Sequence, residues 1–166
     1  MSDFNWNVQL PLHFGQAETP QMRLVRALPD DPQRCTFESF IQQRFRQAHG
    51  ADIRHFMPQL FGMSDALGAL HAVVGVRLAS DGPLFLEGYL DEAIDPLISA
   101  AADQAIVRSG IVEVGNLAAS STGSARLSII AMTYLLAMGG LEWVAFTGNL
   151  GLVNSFHRLG LKPVTL

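Results

Sequence analysis

The chain has 166 residues, 49% hydrophobic and 16% charged, with a net charge of −4 and a pI near 5.6. That is one domain's length with enough apolar material for a core, and its acidic balance excludes a polyanion partner such as nucleic acid, which requires a basic face. Cys35 is the only cysteine, so no internal disulfide staples the fold, and the thiol reads as structural or incidental.

The first residues, MSDFNWNVQLPLHFG, lack a basic start followed by an apolar run, so no signal peptide is expected. MRLVRAL (22–28) alternates and is read as a first strand. From Thr36 the periodicity turns helical, with Phe37, Phe40, Ile41, Phe45 and Ala48 on one face, Thr36 able to cap the start and Gly50 the end. Arg44 lies on or beside that face, either as a snorkelling surface arginine or as a ligand for a substrate carboxylate. HAVVGVRLAS (71–80), the breaker Asp81-Gly82-Pro83 and LFLEGYL (84–90) are read as a β-hairpin, with Phe85, Glu87 and Tyr89 sharing one face of the second strand. Asp95-Pro96 opens a short helix that fades by about Arg108-Ser109-Gly110.

Ile111, Val112 and Val114 form the next strand, and from Gly123 the spacing of Ala125, Ile129, Met132 and Leu136 is helical until Gly139-Gly140. Residues 127–141 are uncharged but include Ser128, Thr133 and two glycines, too short and interrupted for a membrane span, and a cytoplasmic location is expected. LEWVAFT (141–147) is another strand. Asn149 can cap a last helix carrying Leu152, Phe156 and Leu159, which Gly160 ends before an extended LKPVTL. The elements predict a single α/β or α+β domain over 1–166, a mixed sheet flanked by helices.

The chemistry concentrates in 111–126. A strand that feeds a helix through small residues leaves backbone amides unpaired at the helix start, where the dipole favours an anion. Gly123, Ser124 and Ala125 would let a phosphate approach, although close packing in an ordinary strand-to-helix turn accounts for the same residues. Glu113 interrupts an apolar strand: it is either exposed or paired for structural reasons, or buried and held for use as a general base. Glu87 is a second acid that could share its pocket, with Asn116 and Tyr89 as hydrogen-bonding neighbours. The five histidines show no ligand spacing, so no metal site is expected.

The order strand, Gly-x-Ala loop and helix resembles the GNAT acyltransferase fold, whose loop reads Gln/Arg-x-x-Gly-x-Gly/Ala. The matching run is Ser120-Ser121-Thr122-Gly123-Ser124-Ala125: Gly123 and Ala125 fit, Ser120 departs, and Arg126 could supply the missing charge. The run from Asn149 through Phe156-His157-Arg158-Leu159-Gly160 is similar to that fold's last helix. Longer stretches, RHFMPQLFGM, LFLEGYLDEAID, IVEVGNLA, WVAFTGN and HRLGLKP, resemble the thermostable hemolysin family from about Phe40 to the end, and that family is similar to the autoinducer synthases and N-acyl amino acid synthases. In autoinducer synthases the strand carries Glu-x-Ser-Arg; here it reads Glu113-Val114-Gly115-Asn116, keeping the acid and losing the arginine.

The resemblance implies acyl transfer from a thioester, on coenzyme A or acyl carrier protein, to an amine, with no metal. The thioester would thread between the Glu113 strand and the 141–147 strand. Amides of Leu117, Ala118, Ala119 and Ser120 would hold pantetheine, and those of Thr122, Gly123, Ser124 and Ala125 the pyrophosphate, helped by Arg126 and Asn149. Glu113 would be the base, with Glu87, Asn116 and His157 as further catalytic candidates and Arg44, Tyr89 and Trp143 as substrate contacts. Two alternatives stand beside it: a membrane-active lysin, as the family name implies, and an inactive acyl-thioester-binding module. The fold usually ends in two more strands, for which only 161–166 are present, so the sheet is expected to lack its last strands or to be completed by a second copy of the chain.

Overall fold

The computed structural model describes residues 4–15, 21–148 and 150–166. Six strands form one sheet in chain order: β1 (Leu12–Phe14), β2 (Met22–Ala27), β3 (Gln59–Ser64), β4 (Leu70–Leu78), β5 (Ile111–Ala119) and β6 (Trp143–Ala145). Neighbours are antiparallel as far as β5, whereas β5 and β6 are parallel. A parallel pair needs a crossover, supplied here by α3 (Thr122–Met138). The other helices are α1 (Arg34–His49), α2 (Ile94–Ala102) and α4 (Leu150–Arg158).

Alternation along the strands sorts side chains onto two faces. Val74, Val76, Leu78 and Val112 meet Ala131, Met132, Leu135 and Leu136 of α3, and Trp6 extends this layer by packing edge-on against Phe61 at 5.3 Å. The opposite face carries two separate clusters. Phe37 and Ile41 of α1 cover Leu60, Val73 and Ala118, and farther along Ala79, Leu84, Leu86, Ile94 and Ile98 cover Ile111. Gly62 lets α1 come down onto the sheet, since a Cβ there would overlap the Phe37 ring.

The strand at 22–28 exists as β2, preceded by the unforeseen β1. β3 was also unforeseen: QLFGMS is buried at every position, so it lacks the alternation that marks a half-exposed strand. α1 begins two residues before Thr36, which is therefore not its cap; Gly50, with φ 62, does end it. The short helix begins at Ile94 after Ala93 and ends at Ala102, and 108–110 is a separate 3-10 turn.

The hairpin is overturned. Residues 71–78 lie in β4, but Phe85–Tyr89 is a 3-10 helix rather than a strand. Two carboxylates gather three successive amides there: Leu84 N donates to Glu87 Oε2 at 2.7 Å, Phe85 N to Glu113 Oε2 at 2.8 Å and Leu86 N to Glu113 Oε1 at 2.9 Å. Three amides pointed inward on one side cannot alternate as a strand's do. The strand expected at 141–147 is reduced to Trp143–Ala145, and 161–166 join no strand.

Candidate functional site: the parting of β5 and β6

The parallel pair is zipped only at its start, through Ile111–Trp143, Val112–Val144 and Glu113–Ala145. Beyond Glu113, β5 continues for six residues to Ala119 while β6 stops at Ala145. The two therefore part, and beyond Glu113 one edge of β5 has no strand partner among the described residues. On its other edge β5 stays paired with β4, from Leu78–Val112 to Ala72–Ala119, with a bulge between Gly75–Gly115 and Val73–Ala118. Asn116, in the bulge, has φ 51. Left-handed backbone is least costly for glycine and tolerated by asparagine.

Glu113 stands at the apex of the gap and is 2% exposed. Both its oxygens already accept backbone N–H groups, so in this conformation the acid clamps the 85–86 turn. Glu87 shares the turn but not the gap. It accepts from Ile94 N, and Arg108 closes on it with Nη1 and Nη2 at 2.7 Å each. The guanidinium hydrogen bonds are the main reason its carboxyl falls from 4.5 to about 2, aided by the Ile94 and Leu84 amides. Arg108 spends its remaining donors on Asp95 and on the carbonyls of Ala79 and Gly82, and Glu87 chiefly raises its pKa. The two acids do meet at one place, yet as clamps of a turn. Arg108, the residue that makes this possible, passed in the sequence as a helix end.

Asn116 is likewise occupied. Its Oδ1 accepts from Met57 N at 2.8 Å and its Nδ2 donates to His55 O at 3.3 Å. Tyr89 is 74% exposed and packs edge-on against the Phe85 ring. Arg44 lies along α1 over the Phe40 ring at 5.3 Å, with Gln47 as its side-chain partner. Trp143 sits at the closed end of the gap, opposite Ile111, and its buried Nε1 has no hydrogen-bond partner. His157 is exposed on α4, while its neighbour Phe156 packs on Phe146 at 4.8 Å.

The loop keeps part of its expected capacity. Ser120 N donates to His71 O at 2.9 Å, which commits it to β4. Successive peptide groups of a strand point to opposite sides, so the Ala119 N–H faces the open edge. Ala118 and Ala119 belong to β5, and the side chain of Leu117 packs toward α3. Ser121 caps α3: its Oγ accepts from Ser124 N at 3.1 Å. Ala125 N already bonds Ser121 O, so the outward amides at the helix start are those of Thr122 and Gly123. Arg126, the fifth residue of α3, has a buried Nε without a partner. Asn149 lies outside the described residues.

Two open concavities lie elsewhere, one along α1 beside Cys35, Ser39 and Leu70, the other beside Arg108, Glu87 and Asp91. Among the described residues no three His, Cys, Asp or Glu side chains cluster as metal ligands would, and no helix is long and apolar enough to cross a membrane.

A mixed sheet of this order, with a bulged strand parting from its parallel neighbour ahead of a capped helix, defines a GNAT-like α/β fold. Similar architecture occurs in the AHL synthase LasI (TM-score 0.60, 12% identity, 87% of this chain and 80% of that one). It also occurs in TofI, in an apo form (TM-score 0.57, 15% identity, 82% and 76%) and in a ternary complex with an inhibitor and MTA (0.54, 13%, 82% and 77%). The chain belongs to the thermostable hemolysin family, whose profile matches residues 27–166. No curated protein matches it in sequence.

Proposed function

We propose that this protein is an N-acyltransferase that moves a fatty acyl group from a thioester, on coenzyme A or acyl carrier protein, to an amine. The observation that carries the reading is the parting of β5 and β6 immediately after the Glu113–Ala145 pair, beside the Asn116 bulge. A thioester lying along the free edge of β5 would meet the Ala119 N–H, with the Thr122 and Gly123 amides placed for a phosphate and Arg126 adjacent in charge. The amine nitrogen attacks the thioester carbonyl, the C–S bond breaks, and the proton lost by nitrogen ends on the departing thiolate. A backbone N–H near Leu117 would hold the oxyanion, worth about 3 kcal/mol.

Glu113 is the acid at the apex. In this reading it relays the amine's proton through water, using the lone pair each oxygen keeps after accepting its amide. Clamp and base separate in Glu113→Gln. As a base, its loss lowers kcat by roughly 100-fold or more per folded molecule. A rate per folded molecule equal to wild type would leave it the clamp alone.

The test of the function is thiol release from acyl-coenzyme A and acyl carrier protein thioesters in the presence of amino acids. Cys35 is an exposed free thiol and would react with the detecting reagent, so the assay uses Cys35→Ser. Release that depends on both donor and amine supports the reading, and silence with every donor removes it. Calorimetric binding of coenzyme A without turnover would point to the inactive binding module.

One observation favours a second reading. Ile130, Tyr134 and Met138 form an apolar stripe on α3, exposed at 54%, 50% and 42%. A lysin would present such a face to lipid. Dye release from phospholipid vesicles that Ile130→Asp with Tyr134→Asp abolishes would favour it; intact vesicles would exclude it.

A further inference from the structure

The face of the sheet that carries Glu113 is not covered continuously. Its α1 cluster and its 3-10/α2 cluster are separate, and between them β4 and β5 carry the Arg77–Glu113 pair and then a pair of glycines. Gly75 and Gly115 stand directly opposite each other there, so the floor is backbone alone. Across it lies Met57, from the segment joining α1 to β3, with the Asn116 amide oxygen beside it over Gly75. A Cβ on Gly75 would lie 2.7 Å from Met57 Cβ, and one on Gly115 would lie 2.6 Å from Met57 Cε. The thioether therefore runs along the furrow and ends over Gly115, whose other edge is the open side of the β5–β6 gap.

The segment that brings Met57 there is firmly held. Asn116 takes Met57 N and His55 O, while the buried Arg34 donates to Met57 O at 2.8 Å and to Pro58 O at 3.2 Å and pairs with Glu38 at 2.6 Å. Four hydrogen bonds fix the backbone on either side of Met57, leaving its three-bond, unbranched side chain as the adaptable part. The slot has a glycine floor and a thioether roof, and its nearest polar atom, Asn116 Oδ1, 3.1 Å from where a Gly75 Cβ would lie, is already taken by Met57 N. Its chemistry suits an unbranched hydrocarbon chain and not an amine or a carboxylate.

We propose that Met57 is the specificity-determining residue for acyl-chain length: its side chain occupies the far part of the furrow over Gly75 and Gly115 and limits how long a chain the gap admits. The inference rests on the acyl-transfer reading above and names the residue that sets its donor range.

The experiment measures thiol release from a series of acyl-coenzyme A donors of increasing chain length for four proteins, all carrying Cys35→Ser and each checked by its melting curve. These are wild type, Met57→Ala, Gly115→Ala and the double variant. Met57→Ala empties the furrow and should raise the rate ratio of long to short donors by about tenfold or more. Gly115→Ala crowds Met57 Cε, a movable end, and should shift the ratio toward shorter donors. In the double variant the new Cβ fills space the thioether has left, and the ratio should return toward wild type. Met57→Leu, shorter and branched, replaces Met57→Ala should the latter not fold, with a smaller shift in the same direction. Folded variants that transfer acyl groups with the wild-type chain-length profile overturn the role of Met57 and leave the function standing. Wild type that releases thiol from no donor removes the acyl-transfer reading itself.

Discussion

Asn116 joins two properties that its neighbours on β5 do not share. Its backbone is left-handed, and both ends of its amide hold the 55–57 segment over the sheet. The backbone and side-chain parts separate by substitution. Asn116→Gly relaxes the backbone but drops both hydrogen bonds. Asn116→Asp keeps the acceptor for Met57 N and loses the donor to His55 O. Asn116→Ala loses both and adds backbone strain, which together cost about 2 to 4 kcal/mol. Urea unfolding should therefore rank stability as Asn, then Asp, then Gly, then Ala. An alanine variant as stable as wild type would refute the role. Asparagine after a strand acid was visible in the sequence as a hydrogen-bonder; its partner 59 residues away was not, because nothing local connects them.

Among the elements, α3 and the 84–95 segment behave differently. α3 carries its own instructions: a serine cap, small residues in the first turn, and helical spacing up to Gly139-Gly140. Ser121→Ala removes the oxygen that accepts Ser124 N and should cost about 1 kcal/mol in thermal or urea unfolding, while raising KM for the thioester if the helix start binds its phosphate. The 84–95 segment depends on distant charges. Glu87 titrates near 2 when folded against 4.5 ordinarily, so the folded chain binds fewer protons between those values. Its contribution to stability is complete above about pH 4.5 and is lost as pH falls toward 2. Arg108→Gln should flatten that acid limb. Denaturation midpoints compared at low and neutral pH measure it, and an unchanged slope would contradict the pairing. Leu84–Leu90 reads as a strand because it follows a β-rich run and the Asp81-Gly82-Pro83 breaker; the carboxylates of Glu87 and Glu113, with Arg108 holding the first, make it a 3-10 turn.

Across the molecule, the sheet ends in a three-residue strand whose outer edge pairs with no strand among the described residues. Val144 on that strand is half-exposed, and the α3 stripe is uncovered nearby in sequence order. We expect a second copy of the chain to extend the sheet at this edge. Sedimentation should then show association that Val144→Lys weakens, since a charged edge opposes strand addition. A monomer at every concentration, unaltered by the substitution, would rule it out.

The sequence by itself determined the class of fold, the existence of β4, β5 and α3, and the small-residue loop between them, because periodicity and capping act over a few residues. It also placed Glu113 and Asn116 at the critical strand. Tertiary structure decided what those residues do. It added β3, whose two buried faces erase alternation, and it turned the expected hairpin strand into a clamped turn. It set Met57 over two glycines, and it parted β5 from β6. Each of these depends on contacts between residues far apart in the chain, where the free energy of a carboxylate, an amide or a bare backbone is fixed by what the fold brings against it.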